Sequence, residues 1–403
     1  MRLNLRSRRG LALATALAAL VLIGALIAGT FFLSMQNYRV GRASLETDRA
    51  LTVAEYGQNM MLKDWQQTWP ANLKVGDTLK QVFTTEAGSA DTVVATRIRF
   101  NMFWLVSSGH ATTGVDGSAR RRTGLLVRMS VPQIPFPAAF SSASTSALSG
   151  NFTGTGSDAT PTTWSDCPPP VDPVAAVAST AVSNITGSGS GCGSFGCLTG
   201  DPQRLATPDA ADQTKILDHW NDLTARANKV IASSSTPLSP APSLTGTACN
   251  TASTSNWGDP LRASPAGPCE SYLPIIHITC SIAGSLCLQG SNLTGGGAPP
   301  GKWQTVGGGG RGQGILLVDG NLNIEGGFQW VGPIIVKGNV RTAGTGNKVT
   351  GGIHALNIGC ILLTCNHLTG TSSIIYSACA LDKTLSANAF PTVAKQHAWA
   401  DMF

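Results

Sequence analysis

The longest hydrophobic run of the chain lies near its N-terminus and carries no charged residue from Gly10 to Leu33. The run follows four arginines, Arg2, Arg6, Arg8 and Arg9. A helix of this length, rising about 1.5 Å per residue, crosses a hydrocarbon core of about 30 Å. Cytoplasmic flanks of membrane helices are rich in Lys and Arg. The pattern predicts a basic leader at 1–10, a transmembrane helix at 11–35, a cytoplasmic N-terminus and an exported remainder.

The membrane helix is predicted to continue as an amphipathic helix at 36–70. Apolar positions recur at helical spacing along one side of this segment, at Ala50, Ala54, Gly57, Met61 and Trp65. The helix is expected to stop at Pro70, because proline cannot continue it. A cleaved signal peptide is the alternative, but its hydrophobic region usually spans only about 7 to 15 residues.

A small antiparallel sheet is predicted at 71–135. Apolar residues alternate from Val94 to Val106, and a second apolar run follows at 124–129 after a turn-rich connection. The triplet Arg120–Arg122 at the start of the second run is interpreted as a solvated strand entry, with a partner or phosphate site as the alternative.

The middle of the chain, 136–305, is rich in Ser, Thr, Gly and Pro and contains most of the cysteines. No Lys or Arg occurs between Arg128 and Arg204. Segments of this composition bury little apolar surface, so loops or a flexible linker are predicted up to about residue 200. A helix is predicted at about 208–232, because Thr207-Pro208-Asp209 is typical of a helix start. Its apolar stripe comprises Ile216, Trp220, Leu223, Ala227 and Val230.

The C-terminal region, 306–403, contains an internal repeat. The segment 316–322 (LLVDGNL) recurs 18 residues later at 334–340 (IIVKGNV), and weaker apolar runs follow. Repeats of this period with one strand each are typical of a parallel β-helix, whose inward residues are covered only by the next coil. Val318 and Val336 are then equivalent inward positions, with Asp319 and Lys337 pointing outward. The segments Ile375–Leu381 and Trp399–Phe403 are expected to cap the open end. Two unrelated β-hairpins are the alternative.

Ten cysteines lie in the part of the chain predicted to be exported, and none precedes Cys167. An even number of cysteines in an oxidising compartment predicts disulfides. The close pairs are Cys192 with Cys197, Cys280 with Cys287, and Cys360 with Cys365, although spacing leaves the connectivity open. Zinc binding is the alternative, but the tightest spacing is C-x4-C, and only His367 lies near it. No metal site is predicted.

Composition and motifs argue against catalysis and nucleic-acid binding. The net charge is +6, but four of the positive charges belong to the leader, so no nucleic-acid partner is predicted. Neither a phosphate-binding G-x4-G-K-[ST] motif nor G-x-S-x-G nor H-E-x-x-H occurs. Asp319 and Glu325 are the only acidic residues within the repeat, too few for a carbohydrate-active β-helix. The chain is therefore predicted to be no enzyme and to need no cofactor.

The N-terminus resembles that of type IV pilus assembly proteins of the PilX-like minor pilin kind. The resemblance is carried by Arg8-Arg9-Gly10, by the small-residue-rich helix start Leu11–Ala14, and by Ala54-Glu55 in the polar continuation. It implies an apolar helix that packs in a filament core, a sheet that leans on this helix, and cleavage between Gly10 and Leu11 by a prepilin peptidase. The fifth residue after that bond is Thr15, where major pilins have glutamate. The segment 314–340 also resembles C-terminal extensions of PilX-like proteins and the β-helices of bactofilin-like scaffolds.

Together these features predict an α+β chain in the bacterial inner membrane, crossing it once, with its bulk in the periplasm or outside the cell. The expected function is a non-enzymatic minor pilin-like component that displays a β-rich module for adhesion or interaction. Its expected partners are the inner membrane, pilin-like subunits or the pilus assembly machinery, and a surface ligand. A static membrane-anchored scaffold is the alternative, and a surface polysaccharide hydrolase is a weaker one.

Overall fold

The chain is a mixed α+β protein with one long N-terminal helix followed by many short strands. The computed structural model describes residues 9–65, 73–84, 90–99, 101–112, 118–164, 167–207, 210–234, 236–261, 267–280, 303–358, 365–393 and 399–402. The helices are α1 (Arg9–Lys63), α2 (Gly189–Cys192), α3 (Ala210–Ala225) and α4 (Ala378–Ala387).

The strands of the first half are β1 (Thr78–Thr84), β2 (Ala90–Arg99), β3 (Met102–Thr112), β4 (Ser118–Ser130), β5 (Ala138–Ser142), β6 (Ser146–Leu148), β7 (Thr153–Thr155), β8 (Ala175–Ser179), β9 (Ile185–Gly187), β10 (Leu198–Thr199), β11 (Arg204–Ala206), β12 (Lys229–Ala232), β13 (Leu244–Thr245) and β14 (Ala248–Cys249). Those of the second half are β15 (Ile275–Thr279), β16 (Trp303–Val306), β17 (Arg311–Gln313), β18 (Ile315–Val318), β19 (Asn321–Ile324), β20 (Gln329–Val336), β21 (Val340–Thr342), β22 (Thr345–Ala355), β23 (Asn366–Leu368), β24 (Thr371–Tyr376), β25 (Phe390–Val393) and β26 (Trp399–Met402).

The chain divides into two units. The helix–sheet unit comprises Met1–Ser130 and Phe390–Phe403, and the parallel-strand unit comprises Val131–Ala389. The second unit is thus an insertion between β4 and β25. These two strands are antiparallel neighbours, with Ser130 paired to Phe390.

The helix–sheet unit is an antiparallel sheet of order β1-β2-β3-β4, with β25 and β26 both paired to β4. The C-terminal half of α1 packs on β3 and β4. Ala50, Ala54 and Met61, on the apolar side predicted for this helix, are fully buried. The prediction that the sheet leans on the helix is confirmed.

One feature of this unit differs from expectation. The segment Trp399–Phe403 is predicted to cap a β-helix, whereas its described part, β26, pairs with β4. With 13 residues, β4 offers a long edge, and β25 and β26 satisfy its backbone groups in succession. The helix α1 runs without interruption to Lys63, and the predicted stop at Pro70 lies outside the described residues.

The parallel-strand unit stacks successive turns of the chain through parallel pairing. The two copies of the sequence repeat lie side by side, with Val318 paired to Val336 in β18 and β20. The next turn adds β22, which pairs Ile353 with Ile334. A second parallel sheet has the order β16-β19-β21-β23-β6-β9. Each strand of the second sheet follows a strand of the first sheet along the chain.

The order of the strands in space differs from their order along the chain. The early strand β5 pairs with the late strand β22, and β8 pairs with β5. At the opposite end of the same sheet lies β12, which α3 connects to β11. The prediction of loops or a linker in this part of the middle segment is therefore wrong. Its few apolar residues, such as Phe140 and Val177, are fully buried against later turns of the chain.

Apolar side chains fill both sides of the strands. Leu316, Val318 and their equivalents in neighbouring turns form the interior cluster. Ile315 and Leu317 point to the other side and pack with α3, whose stripe residues Ile216, Trp220 and Leu223 are buried there. The helix α3 ends at Ala225, earlier than predicted. Val230, the last residue of the predicted stripe, belongs to β12 and is 62% exposed.

Glycines allow the long strands to turn a corner. Gly332 in β20 and Gly351 in β22 have φ values of 126° and 141°, which side chains rarely adopt. A Cβ on Gly332 would lie 2.1 Å from the carbonyl oxygen of Gly314 in the previous turn. The turns therefore stack closely at this corner only because these residues are glycine.

Candidate functional site

The first half of α1 is apolar and uncovered. Among the described residues, α1 is the helix long and apolar enough to cross a membrane, and none of its most apolar window is buried. Eleven large apolar side chains are exposed between residues 13 and 33: Leu13, Leu17, Leu20, Val21, Leu22, Ile23, Leu26, Ile27, Phe31, Phe32 and Leu33. The hydroxyl of Thr30 donates to the carbonyl of Ile27 at 3.0 Å, so this polar group is satisfied within the helix.

The second half of α1 is fixed to the sheet. Glu46 is buried and accepts from Nε of Arg42 at 3.2 Å, one turn earlier in the helix. Nε2 of the buried Gln58 donates to the carbonyl of Thr123 in β4 at 3.0 Å. A Cβ on Gly109 of β3 would lie 2.1 Å from the carbonyl oxygen of Ala50. Helix and strand thus meet at backbone distance, and the free and fixed parts of α1 form one continuous rod.

The residues predicted for processing lie at the start of this rod. Gly10 and Leu11 belong to the first turn of α1, and Thr15 is exposed one turn further on. Cleavage between Gly10 and Leu11 stays a prediction.

Disulfides cross-link the parallel-strand unit. Cys192 bonds to Cys197, one of the close pairs named from the sequence. Two further bonds join Cys167 to Cys379 and Cys249 to Cys269, which sequence spacing did not single out. Cys280 and Cys365 are also disulfide-bonded, while Cys287 and Cys360 lie outside the described residues. No free cysteine occurs in the part of the chain that the structure describes.

A charged group joins successive turns beneath α3. Nε2 of His277 donates to Asp319 at 3.0 Å, and Nζ of Lys337 donates to the other carboxylate oxygen at 2.9 Å. Nζ of Lys337 also lies 4.3 Å from the ring centroid of Trp220. Burial raises the pKa of the Asp319 carboxyl, but the bonds from His277 and Lys337 outweigh it and hold the pKa below its usual value.

This group corrects the expectation that Asp319 and Lys337 point freely into solvent. Their side chains are only 23% and 25% exposed, and they pair with each other. His277 belongs to β15, outside the detectable repeat, so no sequence pattern indicates the third member.

The asparagines of the repeat have a structural role that the repeat pattern does not predict. Asn321 and Asn339 are fully buried, and the backbone amide of Asn339 donates to the Asn321 side chain at 2.8 Å. Nδ2 of Asn357 donates to Oδ1 of Asn339 at 2.9 Å, and Oδ1 of Asn366 accepts from the backbone amide of Val340. This column of amides links the turns at the corner that follows the inward valines.

Other polar features of the described residues contain few of the groups that catalysis or metal binding would require. A shallow, open cleft is lined mainly by hydroxyl, amide and imidazole groups, among them Ser141, Thr180, Gln213 and His354. Its lining contains no carboxylate. Within the described ranges, no three or more His, Cys, Asp or Glu residues are grouped as a metal site would require.

No protein-family model and no curated protein sequence matches the chain. Among solved structures, the chain is similar to the competence-associated pilin ComZ from Thermus thermophilus, with a TM-score of 0.23 and 13% sequence identity. The match covers 88% of this chain and 97% of that one. A TM-score this low establishes no common fold.

Proposed function

We propose that this chain is a non-enzymatic, single-pass envelope protein and a minor pilin-like component, of the PilX-like kind, of a type IV pilus assembly. Its parallel-strand unit serves as an outward β-helix-like module for adhesion or interaction. The observation that carries the proposal is α1, a single helix with a wholly exposed apolar half and a half fixed to an antiparallel sheet.

The exposed half of α1 requires an apolar environment. Burying a Leu, Ile or Phe side chain gains about 1.5 to 3 kcal/mol, and eleven large apolar side chains are exposed here. Contiguous apolar surfaces of this size mark membrane or protein contacts. A bilayer before assembly and neighbouring helices after it both satisfy this requirement.

The charge and cysteine distributions support the same topology. Arg2, Arg6, Arg8 and Arg9 precede the apolar half, and every cysteine follows it. Disulfides persist outside the reducing cytoplasm. We therefore place the leader in the cytoplasm and both units beyond the membrane.

Processing and topology test the proposal together. A reporter that is active only outside the cytoplasm should be active when fused after Trp69 and inactive when fused after Arg9. In cells with an active prepilin peptidase, the intact mass should correspond to a chain beginning at Leu11. Gly10→Val should leave the leader attached, whereas the control Gly24→Val, at a helix position with no neighbour within 4 Å, should be processed normally.

The runner-up is a static envelope scaffold that never enters a filament. Thr15 favours it, because the residue five positions after the proposed cleavage bond carries no charge to pair with a neighbouring N-terminus. Retention of Met1 and the leader in wild-type cells with active peptidase would favour the scaffold over the pilin-like role.

A further inference from the structure

Strand alternation gives the sheet of the helix–sheet unit two different faces. In β4, Thr123, Leu125 and Val127 are buried on the side that holds α1. Arg120, Arg122 and Arg128 alternate with them and are exposed on the opposite side, called here the outer face. The arginine triplet seen in the sequence is therefore divided, since Arg121 belongs to the helix side.

The centre of the outer face is apolar. Strand register places Val94 beside Val106, and Trp104 beside Leu126. All four side chains are partly exposed. The ring of Trp104 lies over Gly124, where a Cβ would come within 2.3 Å of it. The indole can lie flat against the sheet because Gly124 has no side chain.

Cations surround this centre on three sides. Lys80 lies at the β1 edge, Arg128 lies at one end of β4, and Arg120 and Arg122 lie at the other end, where His110 is paired with Arg120. None of the described outward positions of β1 to β4 is Asp or Glu. Within the described ranges, none of these three arginines takes part in an ion pair.

We propose that the outer face docks a neighbouring protein subunit whose contact surface has an apolar centre bordered by carboxylates. An apolar core with a polar rim is the usual anatomy of a protein interface, and Trp and Arg are its most frequent anchors. A phosphate backbone would instead require a continuous cationic track, which the central apolar residues interrupt. This inference rests on the proposed function and deepens it by naming the surface that holds the neighbour.

Photo-crosslinking in cells tests this docking surface with the full-length, membrane-anchored chain. A photoreactive residue is placed at Thr96, on the outer face beside Trp104, and a control at Asn59, exposed on α1. The Thr96 position should yield a protein adduct, and the double variant Arg120→Glu/Arg122→Glu should lower its yield about tenfold, since like charges across an interface cost affinity. The matched variant Arg120→Lys/Arg122→Lys should stay within about twofold, because charge is kept.

Mutation of the partner completes the test. The adduct should map to a partner segment containing Asp or Glu, and changing that carboxylate to Lys should restore the yield of the Arg120→Glu/Arg122→Glu variant. Equal yields from the Glu and Lys variants, an adduct removed by nuclease, or an adduct with the mass of a lipid would overturn the docking proposal.

Membrane fractionation and leader processing are followed in the same cells. A processed, anchored chain without the adduct refutes the docking surface alone, whereas a soluble, unprocessed chain refutes the proposed function.

Discussion

Val318 and Val336 show how much a single interior position contributes to the parallel-strand unit. They are at most 1% exposed and lie side by side in the paired strands of adjacent turns. An aspartate there would be buried without a partner, at a cost of about 3 to 5 kcal/mol. We expect Val318→Asp to abolish protease resistance of this unit in the full-length chain. The control Val230→Asp, at an exposed strand position, should leave it nearly unchanged, and equal tolerance would contradict the stacking.

Asp319 should make stability depend on acid pH. Its folded pKa is lowered, so its stabilising effect is complete above the unfolded pKa and is lost as pH falls through the folded value. Asp319→Asn should lower the free energy of unfolding by about 1 to 2 kcal/mol at neutral pH and by less below about pH 4. Urea unfolding at both pH values measures this, with the exposed Asp218→Asn as the control that should show neither effect.

For single residues, the sequence predicts which positions are equivalent in successive turns, but not which side chains contact one another. The repeat is sufficient to pair Val318 with Val336, because both lie in segments that keep the same order of aliphatic residues. His277 lies 42 residues before Asp319, in a strand without repeat similarity. Such a contact depends on the three-dimensional stacking of turns, which periodicity alone does not give.

At the scale of elements, the close approach of α1 to β3 depends on Gly109. A Cβ there would overlap the backbone of Ala50 and Ala54. We expect Gly109→Ala to destabilise the helix–sheet contact by about 1 to 3 kcal/mol, because neither backbone can yield easily. The measurement is the rate of proteolysis at Lys63. Gly41→Ala, an exposed α1 position with open space around it, should be neutral or stabilise the helix by up to about 1 kcal/mol.

The disulfides should differ in how much they stabilise the folded chain, according to the length of the loop that each one closes. Cys167 and Cys379 are 212 residues apart, whereas Cys192 and Cys197 are 5 apart. Loop-closure entropy predicts a loss of about 5 kcal/mol for Cys167→Ser/Cys379→Ser and about 2 kcal/mol for Cys192→Ser/Cys197→Ser. Thermal unfolding of the two double variants measures the difference. A larger loss for the short loop would show that local packing, rather than loop length, governs these bonds.

Elements with strong periodicity are predictable from the sequence. The buried side of α1, the alternating strands β2 to β4 and the stripe of α3 all follow from the spacing of apolar residues. Strands β5 to β11 escape such prediction because they are short and composed mostly of small residues. They are stable only because later turns of the chain cover Phe140, Leu148 and Phe152.

At the scale of the whole molecule, chain order and spatial order diverge. Parallel pairing of β5 with β22 brings together residues more than 200 positions apart, such as Ser142 and Asn357. The return of β25 and β26 to β4 has the same long-range character. No local pattern encodes such pairings, so the α+β class was predictable from the sequence, whereas the topology was not.

The insertion of one unit between two neighbouring strands of the other makes the chain modular. Ser130 and Phe390 are paired, and residues paired in an antiparallel ladder lie about 5 Å apart, a gap that a tight turn can close. Replacement of the parallel-strand unit by such a turn would keep α1, β4 and β25 in one continuous chain with the same strand pairing. Tension applied to the parallel-strand unit would reach the helix–sheet unit through two adjacent strands, which would share the load between them.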